Sequence, residues 1–449
     1  MGGGLMQIVA YGSQDVYLTG DPQITFFKTV YKRYTNFALE AIEQTFNGSA
    51  DFGKRVSCTI SRNGDLINST YLQVQLPMLS VSYLSIATGN IKPAYLCWCN
   101  AIGHALIRNV DIEIGGQRID RHYGLWLDIW DELTQDSEKK LGYNQMVGKY
   151  LSEVGMKYNA MYEHVYYVPL QFWYCRSPGM SLPLIALQYH EVKINLEFRD
   201  LSELVIALND NGTRVADINY TSFATTPTIT DARLYVDYVY LDSDERAKFA
   251  QNDHEYLIEQ LQFTGSESLS FNQQSQKLKL NFNHPCKELI WVLQRDENAT
   301  LRGTQYNDWF NYSAASPGTP CPSQAVDLMA DAKILLNGYE RFTIRPQTYF
   351  RLVQPYQHHT RIPEKLIYLY SFSLRPEEQQ PSGTCNMSRI DTVYLNYDLT
   401  PIAMLAKVTS NSAASFRMSA QSTGQISVFA VNYNVLRIRS GMGGLAYAN

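Results

Sequence analysis

Few side chains in this sequence stand in patterns that could do chemistry. His190-Glu191 and His254-Glu255 each open like a helical zinc-protease motif. That motif needs a second histidine four residues on, so that two imidazoles meet on one helical face. Those positions hold Ile194 and Ile258. Gly142 to Lys149 resembles a phosphate loop, but it is one residue too long, and Tyr150 stands where a Ser or Thr would reach the magnesium. Gly441-Met442-Gly443-Gly444 resembles a dinucleotide turn without room for the helix that should follow. There is no G-x-S-x-G elbow. Cys97-Trp98-Cys99 would suit a soft metal, yet no second cysteine pair complements it. His358-His359 would suit a jelly-roll oxygenase, whose metal takes two histidines and a carboxylate. On a strand, adjacent side chains point to opposite faces, so these two would diverge. The sequence is therefore read as carrying no catalytic, cofactor-binding or metal-binding residue. Seven N-x-S/T sequons occur, at Asn47, Asn68, Asn211, Asn219, Asn298, Asn311 and Asn386. Asn298 and Asn311 lie in a long second-half loop and are the candidate glycan-attachment sites.

What must be positioned, then, is mostly a scaffold. Period-2 alternation recurs at Val56-Cys58-Ile60, Leu72-Val74-Leu76, Val110-Ile112-Ile114, Val192-Ile194-Leu196-Phe198 and Leu278-Leu280-Phe282. It predicts antiparallel sheets with one buried face. Leu234 to Leu241 and Leu289 to Leu293 are denser and read as strands buried on both faces. Helices are few. Trp126, Ile129, Trp130 and Leu133 form one apolar stripe, with Asp128, Asp131 and Glu132 off it. A second helix starts at Asp242, with Glu245 three residues on. Phe37 to Phe46 has helical propensity where the architecture calls for a strand.

The chain of 449 residues has room for two domains. Asp65-Leu66-Ile67 resembles Glu288-Leu289-Ile290, and Ile112 to Gly116 resembles Ile334 to Gly338. The offsets, 288 − 65 = 223 and 338 − 116 = 222, agree within one residue and point to an internal duplication. The expectation is an all-β double jelly roll: arm 1–25, first sandwich 26–208, polar linker 209–215, second sandwich 216–449.

Charged residues are scarce at 18%, while the sequence holds 32 Tyr and 18 Phe. Aromatic-rich, charge-poor composition favours strands and covered interfaces. The net charge is −5, and the densest basic stretch is only Lys28, Lys32 and Arg33, so no direct grip on nucleic acid is expected. Seven irregularly spaced cysteines read as free thiols. The first eight residues lack a charged and apolar leader pattern, and no 18-residue apolar run occurs; cytosolic synthesis without membrane insertion is expected.

Several blocks resemble the major capsid proteins of nucleocytoplasmic large DNA viruses, and most of all those of chlorovirus-like phycodnaviruses. They are LMQIVAYGSQDVYLTGDPQITFFK at 5–28, ISRNGDLI at 60–67, IGGQRID at 114–120, LPLIALQYHEVK at 182–193, HEYLIEQLQFTG at 254–265, VQPYQ at 353–357, QPSGTCN at 380–386, SRID at 388–391, and the stretch from 433 to 449. The resemblance implies two jelly rolls per chain and a homotrimer that forms a pseudo-hexagonal capsomer. It implies neighbouring capsomers in an icosahedral virion shell, minor capsid proteins met at the base through the N-terminal arm, loops that are often glycosylated, and assembly in the host cytoplasm. Loops 78–94 and 297–325 depart from the family pattern. A paralogous minor capsid or penton protein, a jelly-roll carbohydrate-binding module and a metal-dependent enzyme built on His358 or His359 stay open as alternatives.

Overall fold

The computed structural model describes residues 3–83, 93–150, 157, 160–210, 214, 226–299, 307–314, 327–401 and 422–447. The chain divides into two units, Met1–Phe37 and Ala38–Asn449. The first holds two short helices, Gly3–Val9 and Val16–Thr19, neither with a buried residue.

The second unit contains two sandwiches of eight principal strands. The first uses β1 (Phe37–Gln44), β2 (Arg55–Thr59), β3 (Leu66–Leu76), β4 (Ile107–Ile114), β5 (Gln117–Tyr123), β6 (His164–Pro169), β7 (Val192–Phe198) and β8 (Asp231–Leu241). The second uses β9 (His254–Ser270), β10 (Ser275–Leu280), β11 (Pro285–Arg295), β12 (Met329–Leu336), β13 (Tyr339–Glu340), β14 (Tyr368–Ser371), β15 (Val393–Leu399) and β16 (Thr423–Arg439). The sheet orders are β1-β8-β3-β6 and β2-β7-β4-β5 in the first sandwich, and β9-β16-β11-β14 and β10-β15-β12-β13 in the second. Strand n of the first sandwich thus corresponds to strand n+8 of the second. Both sandwiches have jelly-roll strand order.

The matched sequence offsets fall on equivalent strands. Leu66-Ile67 opens β3 and Leu289-Ile290 lies in β11; Ile112 and Ile334 sit in β4 and β12. Each of these last strands ends in a two-residue hairpin turn. The turns are Gly115-Gly116 at φ 57° and 84°, and Asn337-Gly338 at φ 48° and 84°. Positive φ at both central residues follows the twist of a hairpin, and Asn and Gly reach it at least cost.

Alternating strands face one core per sandwich. Val56, Leu72, Val74, Ile112, Ile194 and Leu234 share the first, and Trp291, Ile334, Leu395 and Val428 the second. Phe37–Gln44 is a strand, because edge pairing with β8 overrides its helical propensity. Asp242 caps the Ser243–Gln251 helix by accepting from Ser243 N.

Two expectations are corrected. The passage between sandwiches is not at 209–215. β8 pairs with β3 from Asp231↔Gln75 to Val239↔Leu66, so 226–241 belongs to the first sandwich, and the Ser243–Gln251 helix makes the passage. Polar, turn-rich composition does not by itself mark a passage between sandwiches. Leu234 to Leu241 is not buried on both faces either. Leu234, Val236 and Tyr238 are buried, while Tyr235 and Asp237 are only half-buried. Leu289 to Leu293 is buried throughout, as expected.

Candidate functional site

The most heavily built part of the molecule is the junction between the sandwiches. It centres on the helix Gly124–Thr134, which follows β5. Its stripe of Trp126, Ile129, Trp130 and Leu133 enters the second core although the chain here belongs to the first sandwich. The Trp126 ring lies 5.5 Å from that of Phe429, the cross-strand partner of Ile290. The helix therefore covers the side of β11 that would otherwise meet water, which explains the unbroken apolar run there.

The acids off the stripe are buried, not solvated. Lys149 Nζ reaches Asp131 at 3.0 Å and Glu132 at 2.5 Å. Lys365 Nζ holds both oxygens of Asp128, at 2.6 and 2.7 Å, and Tyr312 donates to Asp128 at 2.9 Å. Arg361 meets Glu132 at 3.3 Å. One helix thus takes cations from both sandwiches. Burial alone would lower the Lys149 ammonium, but Asp128, Glu132 and Asp131 outweigh it and hold its pKa up. Burial would raise Glu132, yet Lys149 and Lys365 bring it down to about 2. Burial raises Asp131 despite Lys149. His104, bonded to the Tyr143 hydroxyl at 3.0 Å, is pushed down to about 3 by burial.

A second group spans the same junction. Glu259 of β9 accepts from Arg176 and from Lys287, each at 2.6 Å, and Arg176 lies 4.2 Å from the Trp130 ring centre. Glu288 and Glu377 clasp His359, each at 2.8 Å. Burial would lower this imidazole, but the Glu288 charge and the bonds to both carboxylates raise its pKa to about 9. The 307–314 segment adds a third tie. Asn307 donates to the Ser202 and Val205 carbonyls at 2.8 Å, and the Trp309 indole donates to Glu203 O at 2.7 Å. Such charges must be paired to stay buried, and pairing fixes geometry more than it adds stability. The junction thus ties the two sandwiches together at three places.

The residues singled out by sequence serve this frame. His190 Nδ1 meets Gly443 O at 2.9 Å, and His254 Nε2 meets Phe249 O at 2.8 Å. His358 and His359 end a helix, Gln354–His358, rather than lying on a strand, but they still diverge: His358 contacts Leu374 O at 3.0 Å while His359 is buried between its carboxylates. Lys149 ends the apparent phosphate loop, which is in fact the helix Lys140–Val147 and its cap. The Gly443-Gly444 stretch pairs with the end of β16. Among the described residues, no group of three or more His, Cys, Asp and Glu could hold a metal, and no helix is long and apolar enough to cross a membrane.

The two candidate glycan sites differ in exposure. Asn298 is fully buried, its amide 3.3 Å from Asn311 O. Asn311 is half-buried, donates to Asp308 and accepts from Ser313. Attachment at Asn298 would require its side chain to leave this buried position. Asn211 and Asn219 lie outside the described residues. What the sequence did not signal is the set of cations. Nothing local marks Arg176, Lys287, Arg361 or Lys365 as partners of acids more than 80 residues away in three of the four cases, and Lys287 meets Glu259 across the intervening strand β16.

The first unit offers the other candidate surface. Tyr17, Phe26 and Phe27 are 93%, 90% and 99% exposed, and Leu5, Ile8, Val9, Leu18, Tyr31 and Tyr34 are also exposed.

Two family models match nearly the whole chain: the major capsid protein N-terminus at residues 25–242, and the large eukaryotic DNA virus major capsid protein at 245–444. The chain is 46% identical to the major capsid protein of Phaeocystis pouchetii virus and 47% identical to that of Pyramimonas orientalis virus, over all of this chain and all of each relative. It is similar in structure to PBCV-1 VP54, at 36% identity and a TM-score of 0.73, over 95% of this chain and 100% of that one.

Proposed function

The chain belongs to the large eukaryotic DNA virus major capsid protein family, a structural component of a capsid shell rather than an enzyme, and from that premise we propose that three copies close into a pseudo-hexagonal capsomer. The observation that carries this reading is the duplication itself. Two sandwiches of one strand order, locked by the buried junction, give each chain two similar walls. Three such chains around a threefold axis supply six, and a head-to-tail interface that closes after three subunits makes a ring rather than a filament. The capsomer then meets its neighbours through repeated side contacts. The arm, whose apolar side chains have no buried position of their own, packs against minor capsid proteins at the base of the shell. Synthesis and assembly take place in the host cytoplasm.

Native mass measurement of the purified chain tests the trimer. A species of three times 51.2 kDa is expected; monomer alone at micromolar concentration sinks the proposal. Deleting residues 1–36 tests the arm. The truncated chain should keep its trimer and its unfolding temperature, since the arm buries nothing, and should fail to enter particles when co-expressed with the other shell proteins. Normal incorporation would show that the arm is dispensable for assembly.

A further inference from the structure

Of the described cysteines, Cys286 and Cys385 alone stand opposite each other across a strand ladder. Cys286 begins β11, and the short strand Cys385–Asn386 pairs with it in the register Pro285↔Asn386 and Cys286↔Cys385. The other strand cysteines face aliphatic partners: Cys58 faces Ile194 and Cys97 faces Ile206. Met387 N donates to His284 O at 3.0 Å. That bond makes Cys286 and Cys385 the pair that exchanges both main-chain hydrogen bonds, with Cα atoms about 5.5 Å apart and side chains on one face. A disulfide asks for Cα separations of about 4.4–6.8 Å. Both thiols are free, Cys286 fully buried and Cys385 half-buried.

The geometry points to a redox modification site: an oxidising small-molecule disulfide converts Cys286 and Cys385 into an intrachain disulfide. The half-buried Cys385 thiolate attacks the oxidant, for example oxidised glutathione, forming a mixed disulfide and releasing one glutathione. Cys286 Sγ, which now donates to Glu288 O at 3.1 Å, loses its proton and attacks the Cys385 sulfur, releasing the second glutathione. Two thiols lose two electrons and two protons, and the oxidant's two sulfurs take them up. The new bond ties the segment that carries Glu377 and Pro376 to the start of β11, so it braces the loop over Lys287 and His359. Burial holds both thiols protonated above the ordinary range. Exchange is therefore slow at neutral pH and quickens as pH rises, because the thiolate is the reacting species. A chain made in a reducing compartment stays open and closes this bond once in an oxidising medium. The inference is independent of the trimer.

The test is incubation of the folded full-length chain with oxidised glutathione, followed by thiol titration in denaturant and peptide mapping without reductant. Titratable thiols should fall from the seven in the sequence to five. One linked peptide pair should carry Cys286 and Cys385, and dithiothreitol should release it. Cys385→Ser should keep its six remaining thiols through the same treatment; if that variant does not fold, the wild-type map decides alone. Seven surviving thiols, a glutathione that stays on Cys385, or a bond between other cysteines would each overturn the proposal.

Discussion

Raising the pH through the alkaline range should remove stability that His359 supplies. Its imidazole is held between Glu288 and Glu377 with its side chain fully out of water. The fold raises its pKa from the ordinary 6.5 to about 9. A group whose pKa is raised on folding stabilises fully below its unfolded value and loses that contribution as pH climbs through the folded one. The difference of about 2.5 units, at about 1.4 kcal/mol each, corresponds to about 3 kcal/mol. That contribution should be whole at about pH 6 and gone by about pH 10. The perturbation is His359→Gln, which keeps an amide donor for the carboxylates but cannot take up the charge. Urea unfolding of both proteins across this range gives the stability difference at each pH. We expect about 3 kcal/mol at the acid end, shrinking towards zero at the alkaline end. Groups that do not touch His359 titrate alike in both proteins and cancel. A difference that stays constant with pH would mean that His359 is neutral in the fold, and the reading of this cluster would be wrong.

Trp126→Ala should cost about 3–5 kcal/mol, because a fully buried indole leaves a cavity between the junction helix and Phe429; calorimetry should show one unfolding transition split into two as the sandwiches uncouple. Gly124→Ala should destabilise by about 1–3 kcal/mol, since the added Cβ would overlap the main-chain oxygens of His104 and Ile107, and a chemical denaturation midpoint equal to wild type would contradict the packing described for this helix start.

What the sequence disclosed follows from what is local. Val56-Cys58 and Ile194-Leu196 show their buried face by alternation, and Asp242 announces a helix by capping it; both are decided within a few residues. The Gly115-Gly116 and Asn337-Gly338 turns were visible for the same reason. The extent of the first sandwich was not, because β8 finds β3 about 165 residues back along the chain, and the polar sequence at 209–215 has no feature that separates it from a linker. The pairing of Asp128, Asp131 and Glu132 was not legible for a related reason. A charged helix face is solvated unless cations arrive from elsewhere, and here they come from Lys149, Arg361 and Lys365.

The same helix shows where the duplication stops being symmetric. In the first sandwich the helical insertion after β5 gives its tryptophans to the other sandwich's core. In the second, the insertion after β13 runs from Tyr349 to His358 and places Phe350 against Trp291 of its own core. Equivalent positions in two copies of one fold have thus taken different tasks: one insertion completes its own sandwich and the other joins the pair. Two sandwiches that merely followed one another on a string would leave the face of β11 bearing Ile290 open to water and the angle between them free. A shell built from repeated contacts needs that angle fixed in every copy. The buried charges at Asp128 and Glu132 fix it, because their pairs form at one placement of the sandwiches, and a shift that left one charge buried without its partner would cost several kcal/mol.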